Sequence, residues 1–504
     1  MSTIIILVVY IAIMLGIGFY ASRKTSSVSD FVLGGRNVGS WLTAFAYGTS
    51  YFSAVVFIGY AGQFGWNYGV SATWIGFGNA ILGSMLAWIV LGKRTRTMSK
   101  HLDASTMPEF FEKRFLSKSL KIASAVIVFV FLIPYTASVY NGLSRLFNMA
   151  LNIPYSYCII AMAVLTAIYV ILGGYSATAI NDFIQGIIML VGIVLVVCCV
   201  VSEKGGLSSA LNQLGNISGD VPENTLNSLF GPDPINLFGV VILTSLGTWG
   251  LPQMIQKFYA IKDDRAIKQG TVISTLFAIV VSCGSYFMGG FGRLFVNKDD
   301  ITVNGKLAFD RIVPSMLETA LPEILLGIVV VLVLSASMST LSSLVLTSSS
   351  TLTIDLIRPL TKEKMTEKQE ILIMRILIAV FLIISVVIAL NPNTYITTLM
   401  SISWGALAGA FLAPFMYGLF SKKITKASVW ASFICGVGVT IGHMFIFTIG
   451  GVKATIGGIN LATPINSLAF AMIHYMIIVP VISRITKKPD EKELEKIFSC
   501  YNLF

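Results

Sequence analysis

Charge is what this chain has least of. Asp, Glu, Lys and Arg make up 12% of its 504 residues, about half of the roughly 25% found in soluble domains. A soluble protein of this length could not stay dispersed with so few charges. No stretch between the apolar runs is large enough to fold as a soluble domain. Histidine is rarer still, and His101, His443 and His474 are scattered, so a histidine metal centre is not indicated. Cys158, Cys198, Cys199, Cys283 and Cys435 fall inside apolar runs and Cys500 near the end, which is neither a disulfide framework nor a metal cluster. No nucleophile–base pair or phosphate loop is present, so an enzyme is not expected. No ring of like charges or repeated filter sequence supports a channel. The net charge of +11 raises nucleic acid as a partner, but the basic residues sit in short loops beside apolar runs, with no basic groove or recognition motif. No obligate protein partner is evident either.

What the chain has in abundance is apolar sequence, 55% of the total. Runs of about 20 residues, enough to cross hydrocarbon, recur from end to end. Thirteen candidate spans result, with cores near 3–21, 40–62, 72–91, 120–143, 157–172, 182–201, 236–256, 271–291, 323–346, 371–390, 396–420, 429–449 and 465–483. The first begins with no basic residue before it and reads as a retained helix rather than a cleaved signal. With the N-terminus outside, 28 of the 35 Lys and Arg fall in cytoplasmic segments and 7 outside, the bias that sets topology. The expectation is an all-α polytopic protein of the cell or inner membrane, one membrane domain over 1–504, surrounded by lipid, with the C-terminus in the cytoplasm. The outer loops 202–235 and 292–322 contain short amphipathic stretches at 207–214 and 307–317. The segment 490–498 reads as a charged cytoplasmic helix forming a solvated end.

Two spans carry residues that interrupt helices. In span 2 the run Tyr47-Gly48-Thr49-Ser50-Tyr51-Phe52-Ser53 puts small and hydroxyl residues at mid-membrane. In span 7 the run Ser245-Leu246-Gly247-Thr248-Trp249-Gly250-Leu251-Pro252 does the same, with a proline that cannot pair regularly. Gly and Ser at such places also permit close helix packing. Spans 2 and 7 are five apart and therefore run in opposite directions. Paired interrupted helices in two inverted halves point to a transporter binding site.

Span 9 holds Ser335-Ala336-Ser337-Met338-Ser339-Thr340-Leu341-Ser342-Ser343 and continues in hydroxyls through Ser350. Ala336, Ser339, Thr340, Ser343 and Thr347 share one face. Such a face is packing glue between helices, or a source of oxygen ligands for a hard cation. Asp182, after Gly173-Gly174 and Asn181, is read at the cytoplasmic start of span 6. It either caps a helix N-terminus, where the dipole favours it, or marks an ion path.

Taken together these motifs resemble the sodium:solute symporter family, which includes proline, pantothenate, monocarboxylate and sugar carriers. The resemblance rests on Asp30-Phe31-Val32-Leu33-Gly34-Gly35-Arg36, on Pro108-Glu109-Phe110-Phe111 with Arg114-Phe115, and on Gly173-Gly174 with Asp182 and Gln185. Met338-Ser339-Thr340-Leu341-Ser342 and the run from Trp404 to Pro414 complete it. It implies an inverted five-plus-five helix fold like that of the bacterial leucine transporter. The first repeat would occupy 40–201 and the second 236–420, after a first helix and loop in 1–39 and before two extra helices and a tail in 421–504. It also implies that sodium is co-transported. By carry-over the ion is held by the carbonyls of Thr49, Phe52 and Ala336 and the hydroxyls of Ser339 and Thr340, with Asp182 supporting its entry or release.

Proline carriers of the family have an acidic residue in span 2 where this chain has Tyr51. The stretch from Ser50 through Gly59 is closer to pantothenate and monocarboxylate carriers. The solute pocket is expected between the broken helices, lined by Tyr51, Ser53 and Phe57 from span 2 and Tyr135 from span 4. Thr244, Thr248, Trp249 and Gln253 from span 7 and Trp404 from span 11 would complete it. Half-helix N-termini beside it favour an anionic group, hence a small carboxylate-bearing organic solute such as pantothenate, a monocarboxylate or an amino acid. A proton-driven carrier is the nearest alternative, because Asp182 could titrate. A solute sensor on the same bundle is another, against which stands the short sequence after span 13.

Overall fold

The computed structural model describes residues 2–23, 27–151, 153–217, 220–303, 306–361, 365–391 and 396–501. Lys24, Lys362 and Lys364, counted above among the cytoplasmic cations, lie outside these residues. Among the described residues nine helices are long and apolar enough to cross a bilayer, and ten if the bent pair Pro234–Gly250 and Pro252–Ala260 counts as one span. Two short hairpins, Thr302–Val303 with Lys306–Leu307 and Thr455–Ile456 with Ile459–Asn460, are small β additions to the expected all-helical plan.

Two helices are longer than one crossing. Tyr155–Glu203 has 49 residues, about 74 Å of helix at the usual rise and over twice the hydrocarbon thickness. Gly174, with φ 54° and ψ −145°, breaks it into spans 5 and 6. A Cβ there would lie 2.7 Å from the Phe31 ring and backbone, so glycine is required by both backbone and packing. The structure corrects the reading of 173–181 as a connection. Helix resumes directly after Gly174, and Asp182 lies about two turns inside it, so Asp182 is not an N-cap. Val55–His101 similarly joins the second half of span 2 to span 3, with its turn at Gly69 (φ 61°, ψ −143°).

Span 9 also runs further than expected. Its helix continues from Leu325 to Leu360, and the residues from 329 to 351 are buried almost without exception. It packs on spans 1, 4, 5, 6 and 10 and on the first half of span 2, which makes it the centre of the bundle. Span 11 (Ile396–Phe420) packs on span 4, spans 12 and 13, and the break of span 7. The short helices Leu207–Gly215 and Ile312–Ala320 occupy the two long loops at 202–235 and 292–322.

The segment 490–498 is a helix, Glu491–Phe498, but it is not a solvated end. Leu494, Ile497 and Phe498 are buried. Their i, i+3, i+4 spacing forms one apolar stripe, which docks on the segment Lys93–His101 and on Arg114, whose guanidinium lies 4.7 Å from the Phe498 ring centroid.

Candidate functional site

The first half of span 2 is the helix Ser40–Tyr51. It stops at Phe52, whose φ −107° and ψ 96° are extended. The Ser53 hydroxyl then accepts from Val55 N–H at 3.2 Å, and the Ser53 carbonyl takes Val56 N–H at 2.9 Å. A short polar side chain thus offers the backbone an alternative to the helical ladder, and the Phe52 carbonyl loses its regular i+4 partner. In span 7 the break is made by Pro252. It disfavours helical geometry at the residue before it, and Leu251 is extended at φ −84° and ψ 121°. The two segments meet at an angle of 49°.

The two broken helices run antiparallel. Where span 2 begins, Val38 N–H donates to the Ala260 carbonyl, and Lys262 N–H donates to the Val38 carbonyl, both at 3.1 Å, at the end of span 7. Further along, the Tyr51 hydroxyl donates to the Thr244 carbonyl at 2.5 Å. One chain ascends from 38 to 51 while the other descends from 260 to 244.

Between the break of span 2 and the middle of span 9 four oxygens converge. The Ser339 hydroxyl lies 2.9 Å from the Thr49 carbonyl and 3.2 Å from that of Ala336. The Thr340 hydroxyl lies 3.2 Å from Thr49 O and 3.1 Å from Ala336 O. Phe52 sits three residues beyond Thr49 at the break and is fully buried. The hydroxyls of the serine-rich helix differ in whether they reach beyond it. Ser337, Ser342, Ser349, Ser350 and Thr353 return their hydroxyls to carbonyls of their own helix. Ser339, Thr340, Ser343 and Thr347 reach other helices. These are members of the single face read from the sequence.

Lys257 was not expected here. It was counted as a cytoplasmic loop cation, yet it lies within the helix Pro252–Ala260 and is buried. Its Nζ is 3.9 Å from Asp182 Oδ2 and donates to the Ser343 hydroxyl at 3.0 Å. Ser343 and Ser50 share a hydrogen bond of 2.7 Å, which links the charge pair to the residue next to Thr49. Asp182 itself is fully buried, and neither oxygen has a hydrogen-bond partner among the described residues. Desolvating both charges is expensive, and the pair is tolerated because each supplies the other's countercharge.

On the other side of the span 2 break lies an aromatic group. Tyr51 stacks on Phe52 at 4.3 Å between ring centroids and lies 6.2 Å from Trp404, which meets Tyr135 edge-on at 6.0 Å. The Tyr135 hydroxyl faces Ser53 and the Trp404 indole without closing a hydrogen bond to either. Trp404 Nε1 and both amide atoms of Gln253 are also buried without partners among the described residues. Buried polar groups are seldom left this way, and here several unpaired donors lie near two helix breaks.

The other expected lining residues are placed differently. Trp249 Nε1 donates to the Leu82 carbonyl at 2.9 Å, and the Thr248 hydroxyl donates to Ser245 O at 2.8 Å. Thr244 returns its hydroxyl to Val240 O while its carbonyl receives Tyr51. Phe57 is buried in the π-helical segment Val55–Tyr60. None of the nine candidate lining residues exceeds 7% exposure, so all nine are buried. Asn79 was missed. It accepts from Tyr51 at 3.0 Å and from Ser245 at 3.1 Å, and donates to Ser282 at 3.2 Å, tying spans 2, 3, 7 and 8. A lone amide inside apolar span 3 was the available signal. Gly83 makes room for the Tyr51 ring, since a Cβ there would lie 2.2 Å from the Tyr51 hydroxyl.

The osmoregulated proline transporter OpuE of Bacillus subtilis is 29% identical over 494 residues, covering 96% of this chain and 95% of that protein. The sodium/proline symporter of Staphylococcus aureus is 30% identical over 513 residues, covering 98% and 96%. The fold is shared with a Na+-coupled sialic acid symporter in a substrate-bound outward-open state, at a TM-score of 0.71 and 16% identity, covering 97% of this chain and 99% of that one. Residues 31–436 match the sodium:solute symporter family, and with that match the chain is a member of the sodium:solute symporter family, a multi-pass membrane protein.

Proposed function

We propose that this protein couples the entry of sodium to the uptake of a small carboxylate-bearing solute by alternating access. The observation that carries the reading is the convergence of Thr49 O, Ala336 O and the Ser339 and Thr340 hydroxyls beside the span 2 break. Hard cations select oxygen ligands. Each hydroxyl can turn its proton away and offer a lone pair to the ion while the carbonyls keep their direction. Phe52 O supplies a fifth oxygen in this reading, and Asp182 stabilises the ion on its way to or from the site. Sodium is cargo here, as the family's character implies.

The solute occupies the chamber bounded by Tyr51, Ser53, Phe57, Tyr135, Gln253 and Trp404, with Thr244, Thr248 and Trp249 behind it. Unpaired donors on Tyr135, Trp404 and Gln253 suit a carboxylate, and aromatic walls with few polar groups are usual for small-molecule sites. Proline is the first solute to test, because the relatives named above carry it. Tyr51 leaves room for pantothenate or a monocarboxylate instead.

The architecture proposed for this cycle has thirteen crossings, with the long helices divided at Gly69 and Gly174. Two inverted five-helix repeats over 40–201 and 236–420 would follow the segment 1–39 and precede two extra helices and the tail in 421–504, with the N-terminus outside. The antiparallel course of spans 2 and 7 supports the inversion. Purified protein in proteoliposomes tests the reading. Labelled proline, pantothenate and a monocarboxylate are offered with an inward gradient of sodium or of choline at constant pH. Uptake of one of them above the choline control is expected. Uptake driven only by a pH gradient would replace sodium with protons.

A further inference from the structure

Away from the transport path, the docked C-terminal helix closes a cavity of about 230 Å³ over the turn that follows Arg114. That is below the roughly 300–1,000 Å³ of a drug-sized site, and it suits a compact ion rather than an organic cargo. Its polar lining is unbalanced. Arg114, Lys426, Lys487 and Lys488 contribute four positive charges, and Asp490 and Glu493 contribute two negative ones. Both acids are already engaged. Asp490 caps its own helix by accepting Lys492 N–H at 2.9 Å, and Glu493 pairs with Lys496 at 3.1 Å. Among the described residues the three lysines have no ion-pair partner.

Arg114 is the second, independent observation. Its guanidinium is buried to 1% exposure. Nε donates to Gly418 O and Nη2 to Ser421 O, both at 2.8 Å, while Nη1 has no partner among the described residues. The Phe115 and Phe498 rings flank it at 4.8 Å and 4.7 Å. Burial pulls its pKa down to about 10, opposed only by nearby Tyr501. A buried cation with one unused donor, in the wall of a cavity lined by three lysines without ion-pair partners, lacks an anion.

We propose that this cavity binds phosphate, with Arg114 Nη1 and the ammonium groups of Lys426, Lys487 and Lys488 as its donors. Guanidinium and phosphate are geometrically matched, and lysine adds point charge. The phosphate can belong to an anionic lipid headgroup or to a soluble ion. In either case it bridges the C-terminal helix to the end of span 11, where Arg114 holds the carbonyls of Gly418 and Ser421.

The test uses the full-length protein in detergent and in nanodiscs of equal parts phosphatidylglycerol and phosphatidylcholine. Thermal unfolding is followed with inorganic phosphate against chloride at equal ionic strength, and lipid retained from the nanodiscs is identified by native mass spectrometry. The double variant Lys487→Gln with Lys488→Gln changes two exposed side chains and should fold normally. Stabilisation by phosphate beyond chloride, or retention of phosphatidylglycerol over phosphatidylcholine, is expected. The variant should weaken it on the order of tenfold. Phosphate alone acting identifies a soluble ion, and phosphatidylglycerol alone acting identifies a lipid. The proposal is overturned if neither differs from its control, or if the double variant binds as the wild type does.

Discussion

Lys257 and Asp182 illustrate how a residue's chemistry is decided by neighbours distant in sequence. A lysine after an apolar run reads as a topological marker, and nothing local to Lys257 says otherwise. Its burial depends on Asp182, on Ser343 and on the Tyr175 ring, whose centroid lies 5.1 Å from the ammonium. Asp182→Asn should therefore leave a buried ammonium without its countercharge, at a cost of about 3–5 kcal/mol. A lowered unfolding temperature in detergent would register it. Combining it with Lys257→Met should restore much of the loss, because both charges are then absent. Additive losses in the double variant would show that the two residues do not form a coupled pair. Ser339 and Thr340 were legible from sequence because helical spacing alone sets which hydroxyls share a face. Which of those hydroxyls turn outward was not, since that depends on the carbonyl that the span 2 break presents.

At the scale of elements, the breaks divide by how local their cause is. Pro252 interrupts span 7 by its own covalent structure and was visible in the sequence. The span 2 break at Phe52 and Ser53 was legible as a cluster of small and hydroxyl residues, though not to the residue. Gly174 was read as part of a connection, because a Gly-Gly pair followed by polar residues suits a loop as well as a helix break. Its role comes from Phe31, which packs against it. Gly174→Ala should cost about 1–3 kcal/mol through the left-handed backbone and the clash, and the unfolding temperature should fall. An unchanged value would mean that the chain turns elsewhere. The docked C-terminal helix was half legible: its stripe is in the sequence, but the surface receiving it is assembled from other parts of the chain.

The loop at 202–235 makes a separate, pH-dependent prediction. Asp220 accepts from Arg293 Nη1 at 2.7 Å, and Arg293 also donates to the Trp66 carbonyl at 2.7 Å. The hydrogen bond to Arg293 holds the Asp220 carboxyl below its ordinary value. A depressed carboxyl stabilises the folded loop above its unfolded pKa, near 3.9. That contribution is lost as pH falls through the lower folded value. The pair is partly exposed, so the effect should be small and confined to the loop. Amide exchange in Leu207–Gly215 should quicken, after correction for intrinsic rates, only under strongly acidic conditions. The variant Asp220→Asn should show the quicker exchange already at neutral pH. No difference between variant and wild type would remove the pair from the account.

At the scale of the whole molecule, the proposed ion and solute sites lie on the two sides of one broken helix. Sodium entering at 100 mV, inside negative, gains roughly 2.3 kcal/mol, and a tenfold gradient adds about 1.4 kcal/mol. Together they could concentrate a neutral solute on the order of 500-fold, provided both ligands favour the same closed state. The span 2 break is suited to that coupling, because Thr49 belongs to the oxygen cluster and Tyr51 to the aromatic chamber. The burial of all nine proposed lining residues is what such a closed state requires. The most direct test is equilibrium binding of radioactive sodium to the purified protein, comparing wild type with Ser339→Ala, Thr340→Ala and the double variant. Saturable binding is predicted in the wild type, weakened on the order of tenfold by each single change and further in the double. Wild-type affinity in the double variant would contradict the assignment of the ion to spans 2 and 9.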